Sequence, residues 1–318
     1  MRRRFLEKLS FRGAWLGFKL GTLAIRILPR SLLIVGAKAL GRLGFCLFRS
    51  YRKRSMRNLS VALGEPPQSL KVARIVQRSL INFFIDFVEM ALALESSPEE
   101  IRTDIALQGR ENLDAALAKG KGAILISAHL GNFFLLGTRL ALEGYPAYVL
   151  LNPPHDQNFK ELLDQYRLKI GQRAIYARPR RQASREMTRI LRRNEAAIII
   201  ADEYRSGSGV HVPFLGQTVI ARRGPATLAL RTGAAVVPVY LIRDGGGRLI
   251  LMVEPELDLL RSGEIKAAVR ENTRRITHWL ERTVRSYPDQ WNWMNIRWSA
   301  ELNSILERRG SEDRPKRT

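Results

Sequence analysis

Residues 122–133 read GAILISAHLGNF, and this stretch decides the fold. Its first part, Ala123-Ile124-Leu125-Ile126-Ser127-Ala128, is an apolar run of strand length with Ser127 as its one polar residue. Such a run, without polar alternation, marks a strand buried on both faces. His129 ends the run, and Leu130-Gly131-Asn132 follows, with two residue types that permit a tight turn into a helix. A strand that passes through a polar turn into a helix is the repeating unit of layered α/β domains, whose sites gather in loops at strand ends.

Outward from this stretch the same alternation recurs. Short β-rich runs at Ala147–Leu151, Ala196–Ala201, Ala235–Ile242 and Arg248–Val253 predict further strands. Helical spacing falls between them at 132–143, 157–170, 182–193, 222–232 and 263–286. Upstream, residues 68–98 place Leu70, Val72, Ile75, Leu80, Phe83, Phe84, Phe87 and Met90 at helical spacings. The expectation is an α/β fold, a layered mixed sheet flanked by helices, preceded by an amphipathic helical N-terminal membrane segment. Its parts are a basic membrane-associating segment (1–57), the main domain (58–303) and a polar C-terminal tail (304–318).

The first 57 residues hold 15 Lys/Arg and one acid, Glu7. The apolar stretch is interrupted by Lys19, Arg26, Arg30, Lys38 and Arg42, so no window supplies the roughly 20 uncharged residues of an ordinary spanning helix. Arg12, Lys19, Arg26 and Arg30 are spaced to fall on one helical stripe, as are Lys38, Arg42, Arg49 and Lys53. Two basic amphipathic helices meeting near Pro29 are the simplest reading, lying in a bilayer interface with cations toward anionic head groups. Surface helices packed on a core, and a shallow spanning helix with snorkelling cations, are the alternatives.

Over the whole chain of 318 residues, 53 Lys and Arg face 30 Asp and Glu, a formal net charge of +23. The partner class is therefore polyanionic: an anionic membrane, an acidic protein or nucleic acid. Against nucleic acid, no helix-turn-helix, zinc-finger or RNA-binding sheet motif is visible. The single cysteine, Cys46, excludes an intrachain disulfide and a multi-cysteine zinc site.

The four histidines divide by context. His278 lies in a helical pattern beside Trp279, His155 follows Pro153-Pro154 in a loop, and the alternation around His211 points it outward. His129 is placed at a strand end, where an imidazole serves either as a general base on a hydroxyl or as a hydrogen-bonded structural group.

Residues 122–133 resemble the signature block of the lipid A biosynthesis lauroyl/myristoyl acyltransferases, within the lysophospholipid acyltransferase superfamily. Further blocks agree in order: Asn58-Leu59; Gly109-Arg110-Glu111-Asn112-Leu113; Asp202, then Gly209-Val210 and Val212-Pro213-Phe214-Leu215-Gly216; and Arg223-Gly224-Pro225-Ala226. Tyr287-Pro288-Asp289-Gln290-Trp291-Asn292-Trp293 with Arg297-Trp298 resembles the family's closing block. The resemblance implies transfer of a fatty acyl chain from an acyl carrier protein or acyl-CoA to a hydroxyl of a lipid A precursor or related lipid. It implies the cytoplasmic face of a bacterial inner membrane, and neither cofactor nor metal.

In that family a histidine is followed at the fifth position by an acid, H-x4-D/E. The histidine deprotonates the acceptor hydroxyl and the acid orients the imidazole. Here the fifth residue after His129 is Phe134. Three readings follow: Asp202 or Glu203 reaches His129 through space, histidine works with backbone donors alone, or the protein is a catalytically silent lipid-binding relative. The turn at Gly131 and Asn132 is the candidate for oxyanion donors or a purely structural loop. For the phosphates of an anionic lipid, Arg222 and Arg223 come first, then Arg178 with Arg180 and Arg181. Trp291, Trp293 and Trp298 line an apolar pocket or belong to the core.

Overall fold

A computed structural model describes residue 21 and residues 25–152, 157–204, 209–294, 296 and 298. Most of the first expected amphipathic helix, His155, Arg297 and the tail 304–318 lie outside the described residues. The chain opens with α1 (Arg30–Leu47), α2 (Arg49–Leu63), α3 (Leu70–Glu95) and α4 (Pro98–Asp104). Alternation then begins: β1 (Ile105–Gln108), α5 (Arg110–Ala118), β2 (Ala123–Ser127), α6 (Phe133–Leu142), β3 (Ala147–Leu151) and α7 (Gln157–Lys169). It continues through β4 (Arg173–Tyr176), α8 (Arg180–Arg192), β5 (Ala196–Ile200), β6 (Val210–Phe214), β7 (Gln217–Ala221) and α9 (Gly224–Thr232). β8 (Ala235–Arg243), β9 (Leu249–Val253) and α10 (Ile265–Ser286) complete it.

Seven strands form one sheet in the order β1-β9-β8-β2-β5-β3-β4, and β6 and β7 make a separate hairpin. All neighbours in the sheet are parallel except β8 and β9. β2 sits at the centre, every one of its residues buried, with Ile124 paired to Ala197 on β5 and to Val236 on β8. The expected layered mixed sheet is therefore present, and each expected strand lies within a residue or two of an observed one. β1 and β4 escape the pattern because four residues such as IALQ or RAIY are too short to show a period, and both are edge strands.

α1 and α2 correct the expected N-terminal stripes. Lys38, Arg42, Arg49 and Lys53 do not share one helix, because the chain breaks at Phe48 and the two helices meet at 88°. The inward face of α1 carries small residues, Ala37, Gly41 and Gly44. A Cβ at Gly41 would lie 2.6 Å from Ile81 Cα on α3, so only glycine allows this approach. The large apolar residues of α1, among them Leu32, Val35, Leu40, Leu43 and Leu47, point to solvent. This is the reverse of an ordinary surface helix, which turns such residues to the core. Among the described residues no single helix is long and apolar enough to cross a membrane, whereas α1 and α2 together meet that test as a bent pair.

Several matching blocks owe their form to packing. Asn58 is fully buried in α2 and donates through Nδ2 to the carbonyls of Trp293 (2.8 Å) and Ile296 (3.2 Å), tying the closing block to the N-terminal helices. Gly109 adopts φ +75 where a Cβ would stand 2.0 Å from the Val253 carbonyl oxygen, and Asn112 Nδ2 donates to that oxygen at 2.9 Å. Trp291, Trp293 and Trp298 are buried, in keeping with the core alternative.

Candidate active site

β2 and β5 are adjacent and parallel, so their carboxyl ends open on the same edge of the sheet. The ladder extends one step beyond β5, where Ala201 N–H donates to Ser127 O at 2.8 Å. His129 thus leaves β2 opposite Asp202 as it leaves β5. Asp202 Oδ1 lies 2.8 Å from His129 Nδ1, and its Oδ2 accepts from the backbone N–H of His129 at 2.9 Å. A third donor, Trp291 Nε1–H, reaches Oδ2 at 2.8 Å. The Asp202 side chain is 2% exposed, against 22% for that of His129, so the carboxylate is walled in while the imidazole keeps a solvent-accessible edge.

Burial pushes the Asp202 carboxyl pKa up, but the charge and hydrogen bond of His129, with the Trp291 and backbone donors, hold it below the ordinary carboxylate value. Asp202 is therefore ionised at neutral pH. An ionised acceptor on Nδ1 keeps the proton there and leaves the lone pair on Nε2. Beside it, burial and the Asp202 charge push the Tyr204 phenol well above its ordinary range, so it stays neutral.

The turn after His129 is held from three sides. Leu130 bridges to Trp291 and Gly131 to Leu241 on β8, while Gly131 N–H donates to Gln290 O at 2.8 Å. Gly131 has φ +53, and a Cβ there would stand 2.1 Å from the Leu241 carbonyl oxygen. Asn132 is fully buried, donating through Nδ2 to Asp86 O and to Glu89 Oε2 at 3.0 Å. Phe133 N–H donates back to Gly131 O at 2.9 Å. Gly131 N–H and the Asn132 side-chain amide thus have protein acceptors, which fits the structural-loop alternative for those two donors. These bonds do not engage the Asn132 backbone N–H, which the oxyanion expectation also covers.

Beneath the turn, Arg243 pairs with Asp86 at 2.9 Å and with Glu89, all three nearly buried. Gln290 clamps the Arg243 backbone, accepting from its N–H at 2.8 Å and donating to its C=O at 2.7 Å. Two buried acids share one arginine, and burial first, then repulsion by Glu89 against the attraction of Arg243, pushes the Asp86 carboxyl up to about 7.

The remaining candidates separate. Glu203 accepts from Arg222 at 3.0 Å, which brings Arg222 within one residue of the dyad but shares its charge with an acid. Arg223 is exposed at the start of α9, and Arg178 is exposed after β4. β4 lies three strands from β2, or roughly 14 Å sideways at sheet spacing. Phe134 is partly exposed, stacked on Phe133 (4.2 Å) and close to Phe87 on α3 (5.4 Å). It occupies the place of the motif acid as an apolar ring. Trp291 as a donor to Asp202, and the trio Asp86, Glu89 and Arg243, escaped sequence reasoning. Asp86 and Glu89, set among the apolar residues of 68–98, were the available signal.

An ionised, buried aspartate paired with a strand-end histidine defines an α/β protein with a histidine–aspartate dyad at the carboxyl edge of its sheet. The chain belongs to the bacterial lipid A biosynthesis acyltransferase family, whose sequence model matches residues 2–300. Among curated relatives it is similar to the phosphatidylinositol mannoside acyltransferase of Mycolicibacterium smegmatis, with 25% identity over 91% of this chain and 92% of that one. The enzyme of the same name from Mycobacterium tuberculosis is 26% identical over 89% of this chain and 88% of its own.

Proposed function

We propose that the protein is an O-acyltransferase that moves a fatty acyl chain from an acyl thioester to a hydroxyl of a glycolipid or phospholipid precursor. A lipid A precursor and a phosphatidylinositol mannoside are the two acceptors that the family and its relatives suggest. His129 Nε2 takes the proton of the acceptor hydroxyl as its oxygen attacks the thioester carbonyl. Asp202 holds the Nδ1–H and stabilises the imidazolium that forms. Collapse of the tetrahedral intermediate breaks the C–S bond, and the imidazolium returns its proton to the leaving thiolate. The 2.8 Å contact between His129 Nδ1 and Asp202 Oδ1 carries this reading.

The rival, a catalytically silent lipid-binding relative, was motivated by Phe134. A carboxylate from the neighbouring strand restores the partner that Phe134 lacks, so the replacement is no argument for silence. Arg222 and Arg223, with Arg178 further off, are the proposed contacts of an anionic head group. Exposed leucines on α1 beside Lys38 and Arg42 support attachment in the interface of an anionic membrane, read here as the cytoplasmic face of a bacterial inner membrane. The test is transfer of labelled acyl groups by detergent-purified protein to lipid A precursors, phosphatidylinositol mannosides and lysophospholipids. Transfer that survives in His129→Ala at wild-type rate removes the dyad from the mechanism, and no transfer to any acceptor revives the silent reading.

A further inference from the structure

One face of α3 is polar and turned inward. Ser79, Asn82, Asp86 and Glu89 are spaced three, four and three apart, which sets them in one stripe of the helix. Ser79, Asp86 and Glu89 are buried and Asn82 is partly so. Each bonds away from α3 to a distant segment. Ser79 Oγ–H donates to the Trp291 carbonyl at 2.7 Å, and Asn82 Nδ2 donates to that of Asp289 at 2.8 Å. Asp86 and Glu89 accept from the Arg243 guanidinium at 2.9 and 2.7 Å. Glu89 accepts in addition from Asn132 Nδ2 at 3.0 Å.

The segments gripped in this way flank both halves of the dyad. On the aspartate side, Trp291 supplies the Nε1–H that Asp202 Oδ2 accepts at 2.8 Å. On the histidine side, Leu130 bridges to Trp291, Asn292 N–H donates to His129 O at 3.3 Å, and Asn132 closes the turn onto Glu89. α3 is itself held from outside, where Gly41 lets α1 approach Ile81. Burying four polar side chains costs free energy that apolar residues of the same size would not. What the polar groups add is direction, because a hydrogen bond fixes an angle as well as a distance.

We propose that the α3 stripe is a positioning frame for the reaction: Glu89, through Asn132 and Arg243, sets the turn that carries His129, and Ser79, through Trp291, sets the donor that holds Asp202. The inference rests on the acyl-transfer reading above. The frame has leverage because a misplacement of about 1 Å at a reacting group costs about 10² in rate.

The experiment compares full-length wild type, Glu89→Gln and Ser79→Ala in detergent, each also in an Asp202→Asn background, with circular dichroism to confirm the fold. For Glu89→Gln the expected kcat is lower by about tenfold to 10²-fold, with KM changed by less than about threefold. In the Asp202→Asn background the further loss should stay below about threefold, because residues that act through one dyad are not additive. A residue that only supports the fold costs the same factor in both backgrounds; that result, or a kcat within about threefold of wild type, overturns the inference. Ser79→Ala removes one hydroxyl at nearly constant volume and should follow the same pattern with a loss of at least about fivefold, so it decides the matter if Glu89→Gln does not fold. A second measurement needs no substrate. In protein labelled with ¹⁵N-histidine, the Nδ1–H resonance of His129, assigned by its absence from His129→Ala, should exchange with solvent at least about tenfold faster in either variant than in wild type. Equal exchange rates overturn the inference whatever the kinetics. If wild type transfers to no acceptor, the acyl-transfer reading fails, and faster exchange in the variants still assigns the stripe to holding the dyad.

Discussion

Replacing Asp202 by asparagine is nearly isosteric, and the geometry predicts which way the new amide settles. Oδ2 of the aspartate accepts two hydrogen bonds, from the His129 backbone (2.9 Å) and from Trp291 (2.8 Å), while Oδ1 serves only His129 Nδ1. With the amide NH2 at the Oδ2 position, two buried donors would face a donor, at about 1–3 kcal/mol for each unsatisfied group. The amide oxygen therefore takes that position, and the NH2 faces Nδ1. Nδ1 must then become the acceptor, which moves the ring proton to Nε2 and removes the lone pair that the acceptor hydroxyl needs. A comparable substitution in a serine-protease triad costs about 10⁴ in rate. At 1.36 kcal/mol per decade that is about 5 kcal/mol of transition-state stabilisation. We expect kcat for Asp202→Asn to fall by about 10³ to 10⁴ with KM changed less than about threefold, because the substitution touches the tautomer and not the binding surface. Single-turnover transfer in detergent micelles, beside circular dichroism to confirm the fold, is the assay. A kcat within tenfold of wild type would refute the reasoning and return the role of base partner to another group.

Three further outcomes follow from the same structure. Asp86, pushed up to about 7, binds its proton in the folded state over a range where the unfolded chain has lost it; stability should therefore decline as pH rises from about 4 to about 7, the opposite of an ordinary paired carboxylate. Asp86→Asn should flatten that slope in urea melts at pH 5, 6, 7 and 8, and an unchanged slope would show that Asp86 is not its source. Gly131→Ala sets a Cβ 2.1 Å from the Leu241 carbonyl at φ +53, so a loss of about 3 kcal/mol or more is expected by denaturant titration, and a loss below about 1 kcal/mol would contradict the packing. Val35→Glu with Leu43→Glu, both on the exposed face of α1, should leave folding within about 0.5 kcal/mol of wild type while abolishing pelleting with anionic vesicles; retained pelleting would assign the membrane contact elsewhere.

What the sequence determined by itself is local. The apolar run of 123–128 and the Gly131-Asn132 turn specify a buried strand that delivers His129 into a helix start, because strand burial and turn chemistry act between residues close in the chain. The alternation of short β-rich and helical stretches specified the α/β layering for the same reason, and Phe134 announced that the motif acid was missing. Which group replaces that acid was not legible, since Asp202 lies 73 residues from His129. Asp202 and Glu203 are neighbours with equal claims as carboxylates. Only the parallel pairing of β5 with β2 brings Asp202 to Nδ1, while Glu203 pairs with Arg222. The three donors that keep Asp202 ionised, and the Gln290 and Arg243 contacts that hold the turn, come from segments joined by the sheet and the closing block. α1 teaches the same from the opposite side: its sequence shows apolar and basic residues at helical spacing, but only packing against α3 reveals that the glycines face inward and the leucines outward. Periodicity locates a stripe, and the partner helix decides which stripe is buried.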